Sequence, residues 1–302
     1  MQNKIAAVIV TYNRKKLLEK CIRHIFQQSV QGVDALVIDN ASTDGTQDMI
    51  KTQFGDNKNV KYINTGSNLG GAGGFSFGIK QAVQQKYEYL WIMDDDTIPE
   101  VTALEEFLKA DQLLHGNYGF LSSYAKWIDG SPCEMNVPCV SVKWRENIAG
   151  QFENSMIRLE SASFVSLFMK AEVVRKVGLP IKEFFIWGDD VEYTKRISKL
   201  YPCYFVYKSQ VVHEMGSNKA TTIMDTEEER LGRYEVLYRN RYYIAKHGAK
   251  RDMVLYWLDI KNTIKDIKNS NCSNKKKRID IVLKSVRKGF DFNPKIEYVD
   301  EK

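Results

Sequence analysis

The sequence predicts an α/β fold, a doubly wound and mostly parallel sheet followed by a helical carboxyl-terminal appendage, and three observations carry that expectation. Short apolar runs alternate with amphipathic helical stretches over the first hundred residues, the runs open into polar loops, and beyond about residue 225 only helical periodicity remains. A parallel sheet gathers such loops at the carboxyl ends of its strands, where ligands bind.

The first run, Ile5-Ala6-Ala7-Val8-Ile9-Val10, reads as a buried strand and opens into Thr11-Tyr12-Asn13-Arg14. A helix follows, with Leu18, Cys21, Ile22 and Ile25 on one side. The second strand, residues 35–39, ends at Asp39-Asn40 in a loop of turn and cap residues, Ser42-Thr43-Asp44-Gly45-Thr46, that starts another helix. A third strand over 60–64 precedes Asn68-Leu69-Gly70-Gly71-Ala72-Gly73-Gly74 and a helix to about residue 86. These glycines follow the third strand and break the dinucleotide spacing, so a dehydrogenase is disfavoured. They suit close approach of a ligand to backbone amides at a helix start, or simple turn chemistry.

The fourth strand, Tyr89-Leu90-Trp91-Ile92-Met93, runs into Asp94-Asp95-Asp96. Three adjacent carboxylates repel one another unless a cation or donor compensates them. In an extended chain Asp94 and Asp96 share a face and can converge on one divalent ion while Asp95 points elsewhere. An acidic helix cap is the plainer alternative.

Residues 101–114 read as a helix, 120–144 as an irregular excursion, 164–169 as a core strand and 173–177 as a short helix. A second acidic centre follows at Trp187-Gly188-Asp189-Asp190, where a carboxylate can take a proton from an acceptor hydroxyl or can cap the next helix. After a strand over 204–207, Val211-Val212-His213-Glu214 places one of only four histidines near a strand end.

Composition narrows the classes further. Hydrophobic content of 43% is that of a globular protein, and no apolar run approaches the ~18 residues that span a bilayer. The start lacks signal-peptide character, so a cytoplasmic location is expected. Five scattered cysteines predict reduced thiols. The net charge of +6 is modest, yet Lys275, Lys276, Lys277, Arg278, Lys284, Arg287 and Lys288 form a local basic segment. No nucleic-acid recognition motif accompanies it.

Taken in order, these motifs resemble those of family-2 inverting glycosyltransferases of the GT-A, Rossmann-like nucleotide-diphospho-sugar transferase fold, in the branch of bacterial galactofuranosyl- and rhamnosyltransferases. The resemblance covers about residues 4–218. It implies a catalytic domain over 1–225, with a nucleotide-sugar half to about 98 and an acceptor half over 99–225, and a helical region over 226–302. It implies nucleotide-sugar binding by Thr11, Tyr12, Arg14, Asp39, Asn68, Gly73, Gly74, Asp94 and Asp95, with Asp39 accepting from a pyrimidine. A Mn²⁺ or Mg²⁺ ion would be held mainly by Asp96, with Asp94 and His213. Asp190 would be the general base, beside Asp189 and Trp187 on the acceptor side. Relatives often carry Trp at the position of Val212 and Gly at that of Ser166.

The implied reaction moves a sugar from a UDP or dTDP donor to a hydroxyl of a growing, lipid-linked surface glycan. A nucleotidyltransferase would not explain Asp189-Asp190, and a non-catalytic sugar-nucleotide or glycan-binding module would not need the full set of catalytic residue types. The tail stripes, Leu231, Tyr234, Tyr238, Tyr242 and then Met253, Trp257, Ile260, Ile264, leave open packing on the catalytic domain, a homodimer contact, or peripheral attachment to the inner face of the cell membrane.

Overall fold

The computed structural model describes residues 4–219 and 221–299. The predicted alternation is present as β1 (Ile5–Thr11), α1 (Lys15–Phe26), β2 (Val33–Asp39), α2 (Thr46–Phe54), β3 (Val60–Asn64), α3 (Gly70–Gln84) and β4 (Tyr89–Asp94). Next come β5 (Thr97–Pro99), α4 (Ala103–Leu113), β6 (Leu121–Lys126), β7 (Cys139–Val140), α5 (Ile148–Glu153), β8 (Met156–Ser161), β9 (Leu167–Lys170), α6 (Ala171–Val177), α7 (Asp189–Ser198) and β10 (Tyr204–His213). Three helices close the chain, α8 (Tyr234–Lys246), α9 (Lys250–Asn269) and α10 (Lys275–Asp291).

The strands lie in the order β3-β2-β1-β4-β9-β6-β10-β8-β7, with β5 on β10. From β3 to β4 the pairing is parallel throughout. The other half is mixed, since β9 runs antiparallel to both β4 and β6 while β10 is parallel to β6. Successive side chains of a strand face opposite ways, so each strand feeds two cores. Val8, Leu36 and Ile92 pack with Phe75 and Ile79 of α3 on one face. Ile9, Val37 and Trp91 pack with Ile22 of α1 and Phe107 of α4 on the other. The five cysteines are all free thiols.

Three local expectations change. The glycine cluster is not a loop: α3 starts at Gly70, and its glycines bring the helix onto the sheet. A Cβ on Gly74 would lie 2.6 Å from Val10 Cγ1, and one on Gly78 would lie 2.7 Å from Val8 and Ile38. The core strand expected over 164–169 is Leu167–Lys170, because Ser166 turns to φ +61° immediately before it. The two strands expected over 204–214 are one, β10, irregular between Val206 and Gln210.

The carboxyl-terminal helices share a core of Tyr234, Tyr238, Ile260, Ile267, Val282 and Val286. One member of the basic segment belongs inside it. Arg278 is buried and donates to the carbonyls of Ile223, Thr226 and Ser273, tying α10 to the segment that leads into α8.

Candidate active site

β4 ends at Asp94, and the chain turns through Asp95 and Asp96 into β5, which pairs antiparallel with the end of β10 and sets His213 opposite Thr97. The Glu214 amide donates to the Asp96 carbonyl at 2.9 Å, fastening the two segments. One ligand atom from each of Asp94, Asp96 and His213 lies within 4.8 Å of the others, an arrangement that fits a divalent cation. Asp95 is directed instead to Thr11, whose hydroxyl donates to it at 2.6 Å, and to the Arg14 guanidinium at 3.4 Å. Arg14 also pairs with Asp96.

The carboxylates are electrostatically unequal. Burial raises the Asp94 pKa to about 7, reinforced by the charge of Asp96. Burial likewise raises Asp95, to about 6, against the Thr11 hydrogen bond that lowers it. Burial would raise Asp96 too, but the hydrogen bond and charge of His213, with Arg14, hold it below the ordinary value. His213 is the counterpart. Burial opposes its charge, yet hydrogen bonds to Asp96 and Cys133 and the charges of Asp96 and Asp94 lift it to about 10. Its Nε2 donates to Asp96 at 3.0 Å, and its Nδ1 lies 2.7 Å from Asn136 Oδ1. Asn136 therefore fixes the ring with Nε2 toward the carboxylates, the orientation a metal ligand needs.

The second acidic centre is built differently. Phe185, Trp187 and Gly188 all have positive φ, at +64°, +66° and +90°, and this tightly turned loop delivers Asp189 and Asp190 to the first turn of α7. The Asn240 side-chain amide of α8 holds the loop by donating to the carbonyls of Phe184, Ile186 and Trp187 at 3.0, 3.1 and 2.9 Å. Arg239 adds a bond to the Glu183 carbonyl at 2.7 Å. Asp190 Oδ1 accepts from the Val191 amide at 2.7 Å, and burial raises its pKa to about 6. Asp189 is pushed well above the carboxylate range by burial first, then by Asp190, with Asp94 adding to it. Trp187 packs on Tyr234, ring centroids 5.1 Å apart.

Both centres face one cavity of about 770 Å³, and Arg14, Gly71, Phe75 and Trp187 line it with them. The remaining nucleotide-side candidates lie apart from its lining. Asp39 is fully buried, accepting from the Ser42 amide at 2.8 Å and the Tyr62 hydroxyl at 2.6 Å. Asn68 accepts from the Gly70 amide at 2.9 Å, opening α3, and Tyr12 is exposed. Gly73 and Gly74 are buried in α3, where a Cβ would meet Leu69 and Val10 respectively. Sequence reasoning missed Asn136, Asn240 and a cationic rim of Lys219, Arg230 and Arg233, which lines the cavity and forms no ion pair among the described residues.

The nine-strand path with helices on both faces and the acidic turn after β4 define a GT-A-type fold. Residues 6–113 match the model of Glycosyl transferase family 2. It is 25% identical to galactofuranosyltransferase GlfT1 of Mycolicibacterium smegmatis over 281 residues, 84% of this chain and 87% of that one. The Mycobacterium tuberculosis GlfT1 is also 25% identical, over 275 residues, covering 85% and 88%. Among solved structures, Staphylococcus aureus TarS superposes with a TM-score of 0.58 at 14% identity over 96% of this chain, which spans 44% of TarS. TarS 1–349 in complex with UDP gives 0.55 at 16% identity, covering 96% and 72%.

Proposed function

We propose that this family-2 glycosyltransferase transfers a sugar, galactofuranose before rhamnose, from a UDP-linked donor to a hydroxyl of a growing, lipid-linked bacterial surface glycan, with inversion at the anomeric carbon. The observation that carries the reading is the shared cavity, lined both by a metal-type trio and by a separate carboxylate pair, Asp189 buried and Asp190 half-buried. The likeness to GlfT1 over most of both chains supports galactofuranose, and the TarS complex supports UDP. The catalytic region extends over about 1–225, with α8 contributing the loop clamp.

Asp94, Asp96 and His213 would hold a divalent ion, and mixed carboxylate and imidazole donors favour Mn²⁺ over Mg²⁺. When bound, the ion supplies positive charge where the nucleoside diphosphate departs. Lys219, Arg230 and Arg233, which line the same cavity, would supply further positive charge. Asp190 takes the proton as the acceptor oxygen bonds to the anomeric carbon and the bond to the diphosphate breaks. Its raised pKa makes it a stronger base than an exposed carboxylate. Asp189 orients the acceptor, and Trp187 forms the floor beneath it. Direct displacement needs no covalent enzyme intermediate.

The test is Asp190→Ala with radiolabelled donor and purified acceptor. Transfer should vanish while nucleotide binding stays nearly intact, and a variant that keeps more than a few per cent of the activity would remove Asp190 from the base role.

A further inference from the structure

The solvent face of α9 is chemically unlike a solvated helix. Val254, Trp257 and Leu258 are 60%, 43% and 49% exposed at i, i+3 and i+4. Along the same stripe, by 3.6-residue geometry, lie Lys250, Lys261 and Lys265, also exposed. The helix acids fall off this stripe: Asp259 pairs with Arg241 at 3.0 Å, and Asp252 accepts from the Ala249 amide at 3.1 Å. Phe290 of α10, 50% exposed, widens the apolar zone, its ring centroid 6.4 Å from that of Trp257. The stripe is therefore an aromatic and aliphatic centre flanked by cations.

We propose that this stripe docks the protein on an anionic lipid surface. Charge decides between lipid and a second copy of the chain. A twofold contact would set the stripe against itself and oppose lysine to lysine, whereas anionic headgroups attract each cation and the interface accepts the apolar centre.

Position supports the same occupant. A groove of about 680 Å³ borders the stripe at Leu255, is lined by Leu237, Ile244 and Val191, and ends at Trp187 and Gly188. Trp187 also lines the reaction cavity, so the groove, mostly apolar but lined as well by Lys195, Asp252 and the paired Arg241 and Asp259, leads from beside the docked face to the second acidic centre. Use of that path by a lipid-borne acceptor rests on the glycosyltransferase reading; vesicle docking does not.

Sedimentation of the full chain with vesicles of phosphatidylcholine alone, or of phosphatidylcholine with phosphatidylglycerol, tests the surface. The chain should bind only the anionic vesicles, less as salt rises. Two double variants, Lys261→Glu with Lys265→Glu and Val254→Ser with Leu258→Ser, should each bind about tenfold more weakly while keeping native circular dichroism. Equal binding to both vesicle types, no binding, or unchanged binding of both variants would overturn the proposal. So would loss of a dimer in the serine variant with vesicle binding unaltered. Vesicle binding by a chain that transfers no sugar would leave the surface standing and fault the reaction assignment.

Discussion

The two acidic centres face the same cavity but are held in place by different physics. Asp94, Asp95 and Asp96 sit where a central parallel strand runs out, and their partners Thr11 and Arg14 come from the end of the neighbouring strand β1 and the loop after it. Asp189 and Asp190 stand on a loop with three residues at positive φ, and their position depends on a side chain of α8, about fifty residues later. A strand end is rigid because the whole sheet supports it. A left-handed loop stays in place only where surrounding contacts over-determine it. The difference assigns separate failure modes to the two centres.

The largest effect should separate them by chemistry. Asp96→Ala removes a proposed metal ligand and the partner of both His213 and Arg14, so metal-dependent UDP binding and transfer should be lost together. Asp190→Asn should lower kcat by about 10²- to 10⁴-fold, the usual worth of a general base. Calorimetric titration of UDP with Mn²⁺ into each variant, beside transfer rates, checks the contrast. Loss of UDP binding in Asp190→Asn would merge the two centres into one.

The next effect separates them by support. Asn240→Ala leaves the Phe184, Ile186 and Trp187 carbonyls without their shared donor, and unsatisfied buried carbonyls cost about 1–3 kcal/mol each before water enters. Asn240 is a positioning residue in the proposed reaction, in which the loop carries the acceptor side, so kcat should fall about 10- to 100-fold with donor KM unchanged. The melting temperature should drop as well. A variant in which donor KM rises and kcat holds would show that α8 supports the wrong half of the cavity.

This contrast also governs what the sequence made legible. The parallel half of the sheet and the acidic turn after β4 could be read because apolar run and carboxylates are contiguous. The same holds for Asp189-Asp190 and for His213 at a strand end. Asn136 could not be found that way, since it lies in the irregular excursion and reaches His213 across 77 residues. Asn240 left a signal that went unread. It is a polar residue three positions before the buried Tyr243, interrupting an apolar helix face, and it is fully buried. The glycine cluster was legible only in part, because glycines that admit a ligand and glycines that admit a β-sheet share one composition: Gly71 lines the cavity, while Gly74, with Gly78 a turn further along α3, admits the sheet.

A smaller effect concerns stability and carries a sign. The Asp190 pKa is raised in the fold from 3.8 to about 6, so the folded chain binds a proton more tightly than the unfolded one between those values. Stability is therefore lost as pH rises through that window, and the deficit is complete above about pH 6. The side chain keeps some solvent contact, so screening reduces the deficit to about 1 kcal/mol. Asp190→Asn should then melt higher than the parent at pH 7.5, and the gain should disappear near pH 4. A gain independent of pH would trace to packing rather than to charge.

A last effect, read as the difference between two variants, tests whether strain is also stored beside the first centre. Ser166 has φ +61°, is fully buried, accepts from Trp91 Nε1 at 2.9 Å and lies 2.6 Å from Ser123 Oγ. A glycine would relieve the backbone and forfeit the hydroxyl, while an alanine forfeits the hydroxyl and keeps the strain. Ser166→Ala should therefore destabilise by about 2 kcal/mol and Ser166→Gly by about 1 kcal/mol, read from urea midpoints at equal m-value. The difference between the two variants measures the left-handed cost alone. If alanine proves no worse than glycine, the turn before β9 holds no strain, and the left-handed residues Phe185 and Trp187 differ from Ser166 in more than their φ.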